Sequence, residues 1–118
     1  MNKDDKIKLQ ILEEFLNIVR ILSDKNYQQR VWIQGSKTEI NSYDDCICDF
    51  FDLGEYIFIN PDSYGIADRQ FGVINKFRDI LEKFSTISRY EPEFIDTPEW
   101  DKITKMAAAV LRAFDYKP

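Results

Sequence analysis

Apolar residues recur at three- and four-residue steps in about four stretches of the chain, and short polar breaks separate them. From Asp4 to Leu22, the residues Ile7, Ile11, Phe15, Ile18 and Leu22 mark one helical face, and Leu12, Leu16 and Val19 widen it. Asp4 and Asp5 fall in the first turn, where carboxylates interact well with the helix dipole, and Ser23-Asp24-Lys25-Asn26 ends the helix. Val31, Trp32 and Ile33 read as a short extended connector over about 30–34 before Gly35, or as a loop with Trp32 plugged into the core. Ser42-x-x-Asp45 resembles a capping box and opens a second helix. There Tyr43, Ile47, Phe50 and Phe51 share one face, Asp45, Asp49 and Asp52 the opposite one, and Gly54 supplies a left-handed end. A strand through Cys46–Phe51 is the competing reading of 43–53, but adjacent Phe50 and Phe51 spoil its alternation, which favours helix. Glu55 to Asn60 is β-prone and stopped by Pro61, so an extended link near 56–59 is expected, followed by a turn at Pro61–Gly65.

A third helix runs from Phe71 to Phe84, with Phe71, Ile74, Phe77, Leu81 and Phe84 inward and Asp68 and Gln70 in its first turn. Arg89 to Asp96 reads as a polar connector containing Pro92. The last helix has the clearest start: Thr97 as N-cap, Pro98 at the first helical position and Glu99 next. Trp100, Ile103, Met106, Ala107, Val110, Leu111 and Phe114 then mark its buried side, and Ala107-Ala108-Ala109 lets another helix approach closely. These elements predict a mainly α fold, one domain over 1–118, since 118 residues suit a single core.

Charge changes the picture at one place. Between Thr38 and Asp68 lie eight of the 21 acids, namely Glu39, Asp44, Asp45, Asp49, Asp52, Glu55, Asp62 and Asp68, and none of the 16 bases. Lys37 and Arg69 bracket the stretch, and the chain's net charge of -5 is therefore local to it. Tyr43, Phe50, Phe51, Tyr56, Phe58 and Tyr64 accompany the acids, which a disordered acidic tail would lack. Asp45, Asp49 and Asp52 form a solvated helix face, the ordinary reading, or a protein-binding one, with a metal-binding or catalytic set a distant third. The lack of any compensating base raises the protein-binding reading above its usual rate, because ordinary solvated faces intersperse both signs. Tyr43, Tyr56, Tyr64 and Trp32 serve either as interface anchors or as rim packing. A pI near 4.7 argues against direct nucleic-acid binding, which rests on clustered Lys and Arg.

The candidate chemistry is sparse. The chain has no histidine, which removes histidine-based nucleophile arrangements and most zinc sites. Cys46 and Cys48, two apart, are unsuited to an ordinary disulfide and fit a reducing compartment as small core or near-core residues. Glycines 35, 54, 65 and 72 form no phosphate loop, and the spacing of the acids does not match a calcium loop. We therefore expect no enzyme, no catalytic residues, no cofactor and no metal site. With neither a signal-peptide h-region nor an apolar run of the roughly 20 residues a spanning helix needs, the expected place is cytoplasmic, away from membranes.

Several landmarks together resemble a family. Trp32-x-x-Gly35, Ser42-Tyr43-Asp44-Asp45 leading to Phe50-Phe51-Asp52, Gly65 before a helix, and Asp96-Thr97-Pro98-Glu99-Trp100 opening a terminal helix look like small cytoplasmic immunity proteins. These accompany the toxins of bacterial contact-dependent growth inhibition and related polymorphic toxin systems, and the resemblance covers about residues 30 to 115. It implies a non-enzymatic antitoxin that binds the C-terminal domain of its cognate toxin, usually a nuclease. It carries over no binding residues. The partner-binding set Asp44, Asp45, Asp49, Asp52, Glu55, Tyr56, Asp62 and Tyr64 comes from the charge map alone. The rival expectation is a regulatory adaptor or nucleic-acid mimic that sequesters a basic protein.

Overall fold

The computed structural model describes residues 2–35, 41–86 and 91–116. Helix α1 (Lys3–Ser23) begins where the Asn2 side chain accepts the Asp5 N–H, and its buried residues run from Phe15 to Leu22. The expected stripe is thus covered only in part: Ile11 and Leu12 pack half-buried against the core, while Ile7 remains 46% exposed. Asp24 ends α1 and at once caps the next turn, accepting the Tyr27 N–H at 3.0 Å. That turn is α2 (Lys25–Tyr27), which continues as a π-helical turn over Gln28–Ile33.

The extended connector expected over 30–34 is therefore helical through Ile33. Tertiary contacts outweigh the β-branched and aromatic propensity of Val31-Trp32-Ile33. The wide turn puts Val31 in the core and leaves Trp32 and Ile33 packed against it. Gln28 is its fixed point. This glutamine is fully buried, and its Nε2 donates to the carbonyls of Ile21 at 2.9 Å and Leu22 at 3.1 Å. Its Oε1 accepts the Trp100 indole N–H at 2.8 Å. One amide thus meets two carbonyls at the end of α1, of which that of Ile21 also accepts the Asp24 N–H at 3.2 Å, and ties them to the terminal helix.

Helix α3 (Tyr43–Ile59) starts at Ser42, whose hydroxyl accepts the Asp45 N–H at 3.1 Å. The helix reading of 43–53 holds, but Gly54 does not end the helix and 56–59 is not extended. Gly54 lies mid-helix in the buried stripe of Phe50, Gly54 and Ile57. A Cβ there would sit 3.0 Å from the Phe58 ring and 3.3 Å from the Phe15 ring of α1. The glycine serves close approach of two helices, and the helix runs on until Pro61 forces Asn60 out of the helical region. Gly54→Leu should destabilise the fold by about 1–3 kcal/mol through overpacking, read as a lower urea midpoint at unchanged slope.

The turn Pro61–Tyr64 is 3-10 helical and closes at Gly65, whose φ of 70° is left-handed. Helix α4 (Asp68–Ser85) follows, its start held by Gln70, which accepts the Ala67 N–H and donates to the Ala113 carbonyl. The connector expected to be polar carries α5 (Glu91–Phe94) and buries Phe94 and Ile95. Helix α6 (Pro98–Ala113) opens as the sequence predicts, with Thr97 accepting the Trp100 N–H. Lys105 and Lys25 both hydrogen-bond Asp101 and hold its carboxyl below the usual range.

Helix α1 packs against both α3 and α6, and α6 also packs on α4, giving a mainly α globule without strands among the described residues. Aromatic rings fill the interior in two layers. Tyr43, Phe84, Phe94 and Trp100 form one, with centroid distances from 4.9 to 6.2 Å and Trp32 at its rim. The other centres on Phe50, 5.0 Å from Phe15 and 5.5 Å from Phe77. No described helix is long and apolar enough to cross a membrane. Lys37 to Glu39 of the acidic stretch and its border, and Arg89 and Tyr90 of the later connector, lie outside the described residues.

Candidate binding face

With Tyr43, Cys46, Phe50, Gly54 and Ile57 turned into the core, helical geometry leaves the opposite face of α3 to solvent. Asp44, Asp45, Asp49, Asp52, Glu55 and Tyr56 all lie on it and all are exposed. The helix brings together six of the eight candidate residues. Asp62 is exposed on the 3-10 turn beyond the helix, whereas Tyr64 on that turn is half-buried and packs against the core.

The face has no base of its own. Asp45 with Asp49, Asp49 with Asp52, and Asp52 with Glu55 stand at four- or three-residue spacing, where like charges destabilise a helix by about 0.2–0.5 kcal/mol per pair. Only Asp44 and Asp45, in the first turn, interact favourably with the helix dipole. Fold stability alone would favour a Lys or Arg among these positions.

Two grooves flank the face. Towards α1, Glu13, Glu14 and Asn17 face Asp49, Asp52 and Leu53 across a depression of about 610 Å³, so two further acids join the field. Sequence reading missed Glu13 and Glu14 because they lie thirty residues upstream, and only the packing of α1 on α3 brings them near. Towards α4, a groove of about 420 Å³ is lined by Phe51, Glu55, Phe58, Ile59, Arg78 and Glu82. The Arg78 guanidinium lies 4.4 Å from the Phe58 ring centroid. Ile59, assigned by sequence to the extended link, is instead the last residue of α3 and is 76% exposed, one turn beyond Tyr56 at 61%.

The cysteines divide between the two sides of α3. Cys46 is buried, and burial pushes its thiol up to about 12, with the Asp49 and Asp45 charges adding to the rise against the hydrogen bond to Asn41. The same Asn41 Oδ1 accepts the Trp32 indole N–H at 2.7 Å. Cys48 is exposed on the outer face. A thiol reagent at pH 8 should therefore modify one cysteine of the native protein rapidly and the second only on unfolding; a Cys48→Ser variant should lose the fast phase. Among the described residues, no group of three acid or cysteine side chains is arranged to hold a metal ion. No family model, curated protein or solved structure matches the chain.

Proposed function

We propose that this chain is an immunity-type inhibitor that neutralises a bacterial toxin domain by stoichiometric binding, and that the partner is a basic nuclease. The supporting observation is the outer face of α3, where five exposed acids stand without a base and Glu13 and Glu14 of α1 extend the field. A nuclease site must be basic to hold phosphates, so a fixed array of carboxylates docks there as a polyanion. Opposite charge also speeds encounter, which suits a protein that must capture toxin molecules before they reach substrate. On this reading the chain carries out no catalysis and acts in the toxin's target compartment, the cytoplasm.

The test is growth of cells that express the toxin domain encoded next to this chain, with and without it. Rescue, together with a one-to-one complex that forms more slowly as salt rises, is the expected result. Rescue without salt dependence would keep the inhibition and move the contact off α3. If no neighbouring toxin domain is neutralised, the immunity reading is wrong, and a sequestered basic nucleic-acid-binding protein becomes the partner to seek.

A further inference from the structure

Ile59 and Tyr56 are large apolar side chains that the core does not use, and they are neighbours on α3 at three-residue spacing. Ile59 also forms one wall of the groove between α3 and α4, whose apolar floor is Phe51 and Phe58. Glu55 and Glu82 stand on its rim, against the single base Arg78, which is engaged on the Phe58 ring. The last turn of α3 holds no basic residue, so the negative end of the helix dipole adds to the field where Ile59 emerges.

Apolar walls with an acidic rim define the complementary ligand. We propose that this groove is the anchoring site of the partner, and that it receives a basic-apolar protein segment: a large aliphatic or aromatic side chain seated against Phe51, Phe58 and Ile59, flanked by Lys or Arg that face Glu55 and Glu82. This rests on the inhibitor reading and deepens it by dividing the surface into two parts. The acids from Asp44 to Asp52 attract the partner from a distance, and the groove holds it after contact. Long-range charge acts mainly on association, whereas desolvated apolar contact acts mainly on dissociation.

Two measurements separate the outcomes. With the neutralised toxin domain, Ile59→Ala should accelerate dissociation by about 10- to 100-fold while leaving the association rate and its salt dependence within about twofold. Unchanged dissociation in a variant of parental thermal stability would overturn the groove as anchor. The second measurement needs no toxin: a short amphipathic peptide of Lys and Leu is titrated into the protein, with an all-Lys peptide of equal charge as control. The amides of Phe51, Phe58 and Ile59 should shift with the Lys-Leu peptide, and Ile59→Ala should weaken that binding about tenfold. Shifts confined to Asp44–Asp49 with both peptides would mean that charge alone is recognised, and the groove proposal would fall. Peptide binding in the groove without rescue by any toxin would instead leave the groove standing and remove the toxin as its occupant.

Discussion

Gln28→Leu should lower the stability of the fold by about 2–4 kcal/mol, a large share of the roughly 5–15 kcal/mol available to a domain. Leucine has about the right volume, so the loss comes from hydrogen bonds. The buried Trp100 indole N–H loses its acceptor and the Leu22 carbonyl its Nε2 donor, while the Ile21 carbonyl keeps the Asp24 N–H. Each buried group left unsatisfied costs about 1–3 kcal/mol. Trp100→Phe removes the indole donor and, alone, strands Gln28 Oε1. The two changes should therefore be less than additive, with a coupling of about 1–2 kcal/mol in a urea double-mutant cycle. Additivity within about 0.5 kcal/mol would mean that the bond does not contribute to stability.

The triple substitution Asp49→Asn, Asp52→Asn, Glu55→Gln, which leaves the dipole-stabilised Asp45 in place, should act in opposite directions on binding and on stability. Association with the toxin domain at low ionic strength should slow by about 100-fold, and the difference should shrink to a few-fold at about 0.5 M salt. The free protein should become slightly more stable, by a few tenths of a kcal/mol per relieved like-charge pair at low salt. Stopped-flow association and thermal melting of the same variant read both effects. A surface shaped only for solubility would lose no association rate, so an unchanged rate counts against the acidic face whatever the melting temperature does. The opposed signs are those of positions retained for binding at a cost to the fold.

Periodicity made the long helices legible. Phe15, Ile18 and Leu22, Phe77, Leu81 and Phe84, and Trp100, Ile103, Ala107 and Val110 are buried as their spacing predicts, Met106 and Leu111 only partly so, and Thr97-Pro98 marks the start of the last helix to the residue. What the sequence concealed lies where local preference and tertiary demand part. Gly54 carries the composition of a helix end, yet it sits mid-helix where the Phe58 and Phe15 rings crowd the position of a side chain. Val31-Trp32-Ile33 has strand composition, but Gln28 upstream is drawn into the core by two carbonyls and an indole, and the backbone winds a π turn to place it. Phe94 and Ile95 sit among acids and a proline, so a window average hides two core residues. The same holds for the binding face. Its acids were readable because one helix carries most of them, whereas Glu13, Glu14 and Arg78 join only through packing, and Ile59 was obscured by the misplaced end of α3.

Both tryptophans belong to one aromatic layer, their ring centroids 6.1 Å apart with a 55° tilt between the ring planes. At that spacing the two indole transitions couple, so the near-ultraviolet circular dichroism of the native state carries a paired signal that neither indole would give alone. The Trp32 member hangs on Asn41 and the Trp100 member on Gln28, which makes the signal an optical gauge of how the π turn is seated on the terminal helix. Tyr56, on the far side of α3, lies outside that layer, so a partner on the binding face leaves the indole pair itself untouched.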